Sequence, residues 1–207
     1  MTRRRLYLVI ATAAALAVAC SPTKPAAPLG PPTPAGATPI PGGPMESVPT
    51  PASPRIPTSQ QEAQDAVLRY LQKTVDGLPP GTVLDSTDFR GGGNVPCDDN
   101  FTGPGKPPTE YEYWTHVMGP PGASSDELVA ATGEVWRSWG LTVVERDDFR
   151  KPNRFGYAPD SYRLQIKGPG SPGFPPTLIV SSPCFPGNLV RDDIPAPSVI
   201  KRTATGS

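Results

Sequence analysis

The side chains most able to do chemistry are few in this sequence. His116 is the only histidine, and it lies in an alternating segment, so we expect it to be a surface or packing residue. No serine stands in the Gly-x-Ser-x-Gly context of a nucleophile elbow. Gly103-x-Gly105-Lys106 lacks the spacing of a phosphate-binding loop, and Pro107 follows the lysine. We therefore predict no catalytic residues and no enzymatic activity.

Candidate metal ligands are equally sparse. Two pairs of neighbouring acids, Asp98-Asp99 and Asp147-Asp148, lack the spacing of a calcium-binding EF-hand loop, so we interpret them as solvated loop acids. One histidine and three cysteines exclude a His-rich site or a cluster of paired thiolates. We predict no metal and no cofactor.

The most suggestive surface segment spans residues 150 to 157, which we expect to form a loop between two strands. It combines three cations with two aromatic rings: Arg150, Lys151, Arg154, Phe155 and Tyr157. This composition suits contact with an anionic glycan or a lipid head group. A solvated hairpin loop is the plainer interpretation, because loops carry charge in any case.

The N-terminus predicts export and lipid attachment. Three arginines precede Leu6–Ala19, an uncharged apolar run of 14 residues, shorter than the roughly 20 residues needed to span a membrane. Residues 1–19 therefore fit a signal peptide. The sequence Leu-Ala-Val-Ala before Cys20 resembles a bacterial lipobox, in which the cysteine carries the lipid. Cleavage by a general signal peptidase remains the alternative.

Cysteine parity favours lipidation. Of the three cysteines, lipidated Cys20 leaves Cys97 and Cys184 to pair in an exported protein. With two or more acyl chains, Cys20 would anchor the protein durably to a membrane.

Composition separates a spacer from a folded domain. The chain has 31 prolines in 207 residues, and 13 of them lie between Ser21 and Pro57. We predict that residues 20–57, lipidated Cys20 included, form a disordered proline-rich spacer, since this stretch lacks apolar periodicity. A ligand for a proline-recognising partner and an O-glycosylated stalk are the alternatives. The balance of 19 basic and 19 acidic residues argues against a nucleic-acid partner.

Two amphipathic helices are predicted in the domain. Thr58–Val75 begins with Thr58 or Ser59 as cap and has Glu62 at the capping-box position. Ser125–Trp139 begins with a capping box and places Trp136 and Trp139 on or beside its apolar stripe. We expect these two tryptophans in the core or at its edge.

Five strands complete the predicted fold. They span residues 82–89, 110–118, 141–145, 161–167 and 177–181, and the fourth alternates cleanly between apolar and polar side chains. One face of the sheet should thus face water. We predict an α+β two-layer sandwich over residues 58–186, with two helices on one face of an antiparallel sheet of about five strands, in the order α-β-β-α-β-β-β. Residues 187–207 are predicted to be a flexible tail.

These features together resemble the mycobacterial LppA-type lipoproteins, an uncharacterised family. The resemblance covers roughly residues 60–186 and rests on the lipobox, a cysteine followed by Asp98-Asp99, the Tyr111/Tyr113 strand, a Trp-bearing helix and a strand leading to Cys184-Phe185. It implies an actinobacterial cell envelope and a disulfide-bonded domain. It brings no catalytic residues.

The sequence thus predicts a lipid-anchored protein on the extracytoplasmic face of the cell membrane. Its domain would be a non-catalytic interaction module for an envelope protein, a glycan or a lipid. A carrier of a small hydrophobic or glycolipid ligand is the first alternative, and it requires a cavity between the helices and the sheet. A cell-wall-directed enzyme is the second.

Overall fold

The computed structural model of this chain describes residues 48–204. The predicted signal peptide, Cys20 and the spacer up to residue 47 lie outside the described residues, as do residues 205–207. The described part contains two helices and eight strands: α1 (Gln60–Gly77), β1 (Val83–Asp85), β2 (Gly92–Pro96), β3 (Thr109–Met118), α2 (Ser125–Ser138), β4 (Thr142–Val144), β5 (Asn153–Tyr157), β6 (Arg163–Lys167), β7 (Thr177–Ser181) and β8 (Val199–Lys201).

Local capping determines where both helices begin. The Ser59 hydroxyl accepts a hydrogen bond from the Glu62 backbone N–H, as a helix N-cap should. The Glu62 carboxylate accepts in turn from the Thr58 backbone N–H and hydroxyl. Ser124 and Glu127 form the predicted capping box of α2, with each side chain bonded to the other residue's backbone N–H. Both predicted helices are confirmed to within two residues at each end.

The sheet is antiparallel and is built around β3. Its strand order is β4-β5-β6-β7-β3-β1-β8, with β2 also paired to β3. One edge of β3 pairs with β7, and the other edge pairs with β2 along its first half and with β1 at its end. The predicted α+β class with an antiparallel sheet is confirmed, but the sheet has eight strands and not about five.

The two helices cover one face of this sheet. Alternate residues of β3 from Thr109 to Val117 point into the core, where they meet buried side chains of both helices. Trp136 of α2 is fully buried, and its indole N–H donates to the Thr74 hydroxyl of α1 at 3.1 Å. Tyr113, Leu71 and other large side chains fill the space between helices and sheet. This filled interface gives no support to a ligand carrier that needs a cavity there.

Three strands escaped the sequence-based prediction. β2 falls in the glycine run expected to open a loop, and β5 falls inside the segment expected to be a loop at 150–157. β8 lies in the predicted flexible tail and pairs with β1. Each is short, and none alternates cleanly in hydrophobicity, so their pairing with neighbouring strands decides their conformation.

The folded domain also extends beyond its predicted limits at both ends. In the predicted spacer, the backbone N–H groups of Ser53 and Arg55 donate to the carbonyls of Pro159 and Asp160, and Arg55 pairs with Glu62 at 2.8 Å. In the predicted tail, Arg202 donates to the Leu78 carbonyl at 2.7 Å. The predicted boundaries at residues 57/58 and 186/187 are therefore wrong.

The disulfide between Cys97 and Cys184 is confirmed. Its sulfur atoms are 2.07 Å apart, and the two Cα atoms are 6.3 Å apart. Cys97 directly follows β2, and Cys184 lies three residues after β7. The bond thus ties together the segments that flank β3 on its two sides.

Candidate functional site

The structure divides the five residues of the predicted contact segment among three places. Arg150 and Lys151 lie before β5, whereas Arg154, Phe155 and Tyr157 lie on it. Successive side chains of a strand point to opposite faces. Phe155 and Tyr157 therefore share the open face of the sheet, and Arg154 points to the helix-covered side. The segment is therefore not the single loop that the sequence predicted, and its contact role stays a prediction.

Two of the three cations of that segment, Lys151 and Arg154, are neutralised by nearby acids. Lys151 forms ion pairs with Asp147 and, at 3.4 Å, with Glu145. Arg154 also pairs with Glu145. The aliphatic part of its side chain packs closely over Gly133 of α2, where a Cβ atom would lie 2.9 Å from the Arg154 Cγ. These ion pairs leave little charge on Lys151 and Arg154 for an anionic partner, so these two cations are poor candidates for the contact surface.

The open face carries a row of side chains that crosses five strands. The register pairs Trp114 of β3 with Ile179, Ile179 with Gln165, Gln165 with Phe155, and Phe155 with Val144. Neighbouring strands lie about 4.8 Å apart, so Trp114 and Phe155 are separated by roughly 14 Å. The floor between them is formed by Ile179 and Gln165.

A groove of about 390 Å³ lies over this row, and we call it the sheet groove. It is lined by residues from β3, β5, β6 and β7, from the segment between β4 and β5, and from the segment before α1: Val48, Glu110, Glu112, Trp114, Arg146, Phe149, Phe155, Tyr157, Arg163, Leu164, Gln165, Lys167, Ile179 and Ser181. Trp114 and Phe149 remain 37% and 39% exposed, so two aromatic rings are available to a ligand.

A cation lies over the aromatic rings at each side of the sheet groove. The ammonium of Lys167 is 5.7 Å from the centre of the Trp114 ring. The guanidinium of Arg146 is 5.3 Å from the centre of Phe155 and 5.4 Å from that of Phe149. Cations at such distances are attracted to the ring faces. They also bring hydrogen-bond donors to the edges of the groove.

Two carboxylates hold the β3 side of the sheet groove in place. Glu112 accepts a hydrogen bond from the Trp114 indole N–H at 3.0 Å and one from the Ser181 hydroxyl at 2.8 Å. Glu110 pairs with Arg163, and partial burial raises the pKa of this carboxyl above its ordinary value. The orientation of Trp114 is therefore fixed before any ligand arrives.

His116 lies two residues beyond Trp114 on the same face. Its ring packs against Phe89 with centroids 4.5 Å apart, and its Nε2 is 4.0 Å from the carboxylate of Asp88. Within residues 48–204, its Nδ1 has no hydrogen-bond partner, and no hydroxyl or thiol is recorded bonded to its ring. This arrangement fits the expected surface or packing role.

The acidic pairs take part in local contacts. Asp98 caps the backbone N–H of Asn100, Asp147 pairs with Lys151, and Asp148 pairs with Arg146 at 3.4 Å. Glu110 lies close to the sulfur atoms of the disulfide. Both sulfurs are already bonded to each other, so they are not available as thiolate ligands.

Comparisons with known proteins add no assignment. No protein-family model matches the chain, and neither a curated protein nor a solved structure matches it. The resemblance to LppA-type lipoproteins therefore stays a prediction. Among residues 48–204, neither helix has the length and apolar character required to cross a membrane.

Besides Phe155 and Tyr157, Trp114 was a sequence signal that could have indicated the sheet groove. It stands on the otherwise polar face of an alternating strand, between Glu112 and His116. The other lining residues come from segments up to 133 positions apart in the chain, from Val48 to Ser181. Nothing local in the sequence connects them.

Proposed function

We propose that this protein is a lipid-anchored, extracytoplasmic protein that presents a non-catalytic binding domain in a bacterial cell envelope. Its anchor would be Cys20, and its binding surface would be the sheet groove. The residues around Trp114, and not the cations at 150–154, would make the contact with an envelope protein, glycan or lipid.

The disulfide is the observation that carries the export part of this proposal. Disulfides persist in oxidising compartments outside the cytoplasm. Because Cys97 and Cys184 are bonded to each other, Cys20 is the one remaining cysteine of the three. It directly follows the apolar run that begins after Arg3–Arg5. A lipid on Cys20 accounts for the odd cysteine, whereas simple secretion would leave a free thiol.

The sheet groove supports binding as the activity of the domain. It combines partly exposed aromatic rings and arginine, residue types that are enriched where proteins recognise partners, with lysine and carboxylate side chains. Those polar groups are engaged in positioning the rings, as the bonds of Glu112 to Trp114 and Ser181 illustrate. A fixed aromatic surface lowers the entropy cost of binding.

Intact-mass measurement of the mature protein from its native membrane tests the anchor. We expect a chain that starts at Cys20, heavier by a diacylglycerol with or without an N-acyl chain, and lighter by two hydrogens for the disulfide. The Cys20→Ala variant is the control and should leave the membrane fraction. An unmodified mass starting at Cys20 would contradict the lipid anchor.

Retention by isolated cell envelopes tests the binding surface. Trp114→Ala should reduce binding of the purified protein to envelope material, whereas Phe174→Ala should not. Phe174 is a suitable control because it is 61% exposed and does not line the sheet groove. Equal retention of the two variants would contradict the assignment of the groove.

A further inference from the structure

The end of the proline-rich segment lies at the sheet groove. Val48, the first described residue, is one of its lining side chains, and the sequence continues Pro-Thr-Pro-Ala-Ser-Pro. Ser53 then bonds to the Pro159 carbonyl, in the turn that joins β5 to β6. Tyr157 and Arg163, on either side of that turn, line the groove as well. The groove is thus bordered by a residue from a segment of this composition.

The size of the sheet groove suits an extended peptide. The distance from Trp114 to Phe155 is roughly 14 Å, three inter-strand spacings. A polyproline II helix rises about 3.1 Å per residue, so four to five residues would cover this distance. The floor that such a helix would cross is formed by Ile179 and Gln165, which are register partners on neighbouring strands.

The chemistry of the lining also suits a proline-rich peptide. Such peptides present apolar pyrrolidine rings and backbone carbonyls, and their prolines have no N–H to donate. Exposed aromatic rings are the usual partners of the pyrrolidine rings. The carbonyls need donors, and Lys167 and Gln165 can supply them: within the described part of the chain, neither side chain is engaged in a recorded hydrogen bond or ion pair.

We propose that the sheet groove binds a proline-rich segment of another polypeptide in the polyproline II conformation. This inference rests on the proposed function, because it names the partner of the same groove. Trp114 and Phe149 would pack against the pyrrolidine rings, and Lys167 and Gln165 would donate to the carbonyls. The low conformational entropy of a polyproline II peptide offsets the modest depth of the groove.

Titration with a synthetic peptide tests the proposal. A fluorescent peptide of about 12 residues with an Ala-Pro-Thr-Pro repeat is long enough to span the groove. The matched control peptide has alanine in place of every proline. We expect the full-length protein to bind the first peptide saturably and the control at least about tenfold more weakly. Equal binding of both peptides, or no binding of the first, would overturn the proposal.

Variants locate the binding within the molecule. Trp114→Ala should weaken peptide binding at least about tenfold, as for a central aromatic anchor. Lys167→Met keeps the apolar stem over Trp114 and removes the ammonium, so it should weaken binding by a smaller factor. Phe174→Ala should leave it unchanged. Circular dichroism and thermal unfolding of each variant would verify folding. Binding unaffected by Trp114→Ala in a folded protein would overturn the proposal.

A parallel binding experiment with saccharides separates this inference from the proposed function. If soluble peptidoglycan fragments bound in a Trp114-dependent manner and the proline-rich peptide did not, the groove would remain a binding site, but its ligand class would be wrong. If Trp114→Ala changed neither peptide binding nor retention by cell envelopes, the groove itself would be wrong. The lipid on Cys20 is measured separately by mass.

Discussion

Both faces of the sheet carry aromatic side chains, but one face buries them and the other leaves them partly exposed. On the helix-covered face, Tyr111 and Tyr113 lie between Thr109 and Thr115 and are sealed from water. On the open face of the same strand, Trp114 stands between carboxylate and imidazole side chains and keeps 37% of its surface exposed. A single strand, β3, therefore contributes both to the core and to the candidate binding surface.

Two of the three tryptophans, Trp136 and Trp114, illustrate what this difference teaches. Trp136 is fully buried, and its indole N–H bonds to a neutral hydroxyl of the other helix. Trp114 donates its indole N–H to the carboxylate of Glu112 and lies beneath the ammonium of Lys167. Polar groups thus hold Trp114 in place at the surface, where hydrophobic burial alone would not. We regard this fixing of an exposed aromatic ring by polar groups as the property that distinguishes a binding surface from an incompletely packed core.

Truncating these two tryptophans should give the largest contrast. Trp136→Ala should lower the free energy of unfolding by about 3–5 kcal/mol, because it leaves a cavity in the core. Trp114→Ala should cost about 1 kcal/mol, as expected for a partly exposed site. Urea unfolding of both variants measures the difference. Equal losses would mean that the open face is part of the stabilising core.

Removing the disulfide should have the next largest effect. The double variant Cys97→Ser and Cys184→Ser opens a loop with a sequence separation of 87 residues, and typical losses are about 2–4 kcal/mol. Urea unfolding against the oxidised protein measures this loss. Dithiothreitol should reproduce it in the native sequence and leave the double variant unchanged. A native protein insensitive to reduction would contradict the stabilising role of the bond.

Two neighbouring glycines of β2 should differ sharply. A Cβ atom at Gly92 would overlap the hydroxyl of Tyr111, at 1.7 Å, whereas one at Gly93 would meet no atom within 4 Å. Gly92→Ala should therefore destabilise the protein by about 1–3 kcal/mol through overpacking. Gly93→Ala is the matched control and should be close to neutral. Thermal unfolding of the pair tests which face of β2 meets the core.

The smallest effect is expected at the start of α2, on the helix layer. Ser124→Ala removes the hydroxyl that caps the helix and should cost about 1 kcal/mol. Urea unfolding at neutral pH measures this loss, and Ser124→Asp, which retains a capping oxygen, should restore most of it. If Ser124→Ala left the free energy of unfolding unchanged, packing against the sheet alone would hold this helix end.

The same cap predicts a pH dependence. Hydrogen bonds from the Ser124 backbone N–H and hydroxyl lower the pKa of Glu127 below its ordinary value of 4.5. A carboxyl with a lowered folded-state pKa stabilises the protein above its unfolded-state value, and the contribution is lost as the pH falls through the folded-state value. The stability difference between the native protein and Glu127→Gln should therefore shrink below pH 4.5. A stability difference that did not change with pH would contradict a stabilising role for the ionised Glu127 carboxylate.

The elements that sequence reasoning found are those with a local cause. Ser59 and Ser124 mark the helix starts by their side chains, and Gly140, with a φ of 81°, follows the second helix as expected. β3 and β6 were found through alternation. β5 was missed because its sequence, Asn-Arg-Phe-Gly-Tyr, has neither alternation nor strong strand propensity. Gly156 lies there because a Cβ atom would come within 2.9 Å of Trp136.

The residues of the candidate site were likewise predictable only where the local sequence carried a signal. Phe155 and Tyr157, two residues of the predicted contact segment, line the sheet groove, but Arg154 was grouped with them by proximity in sequence. Since neighbouring strand residues point to opposite faces, that grouping could not hold once the segment was a strand. Ile179, Lys167 and Arg146 were missed because each meets Trp114 or Phe155 only across the sheet.

By itself, the sequence determined the helix limits, the α+β class and the pairing of Cys97 with Cys184, because caps, periodicity and cysteine parity are readable along the chain. Only the tertiary structure decided which side chains share the open face. Strand register aligned Trp114, Ile179, Gln165 and Phe155 in one row. A shift by one residue would send every one of those side chains to the other face, and no local pattern specifies such a register between distant segments.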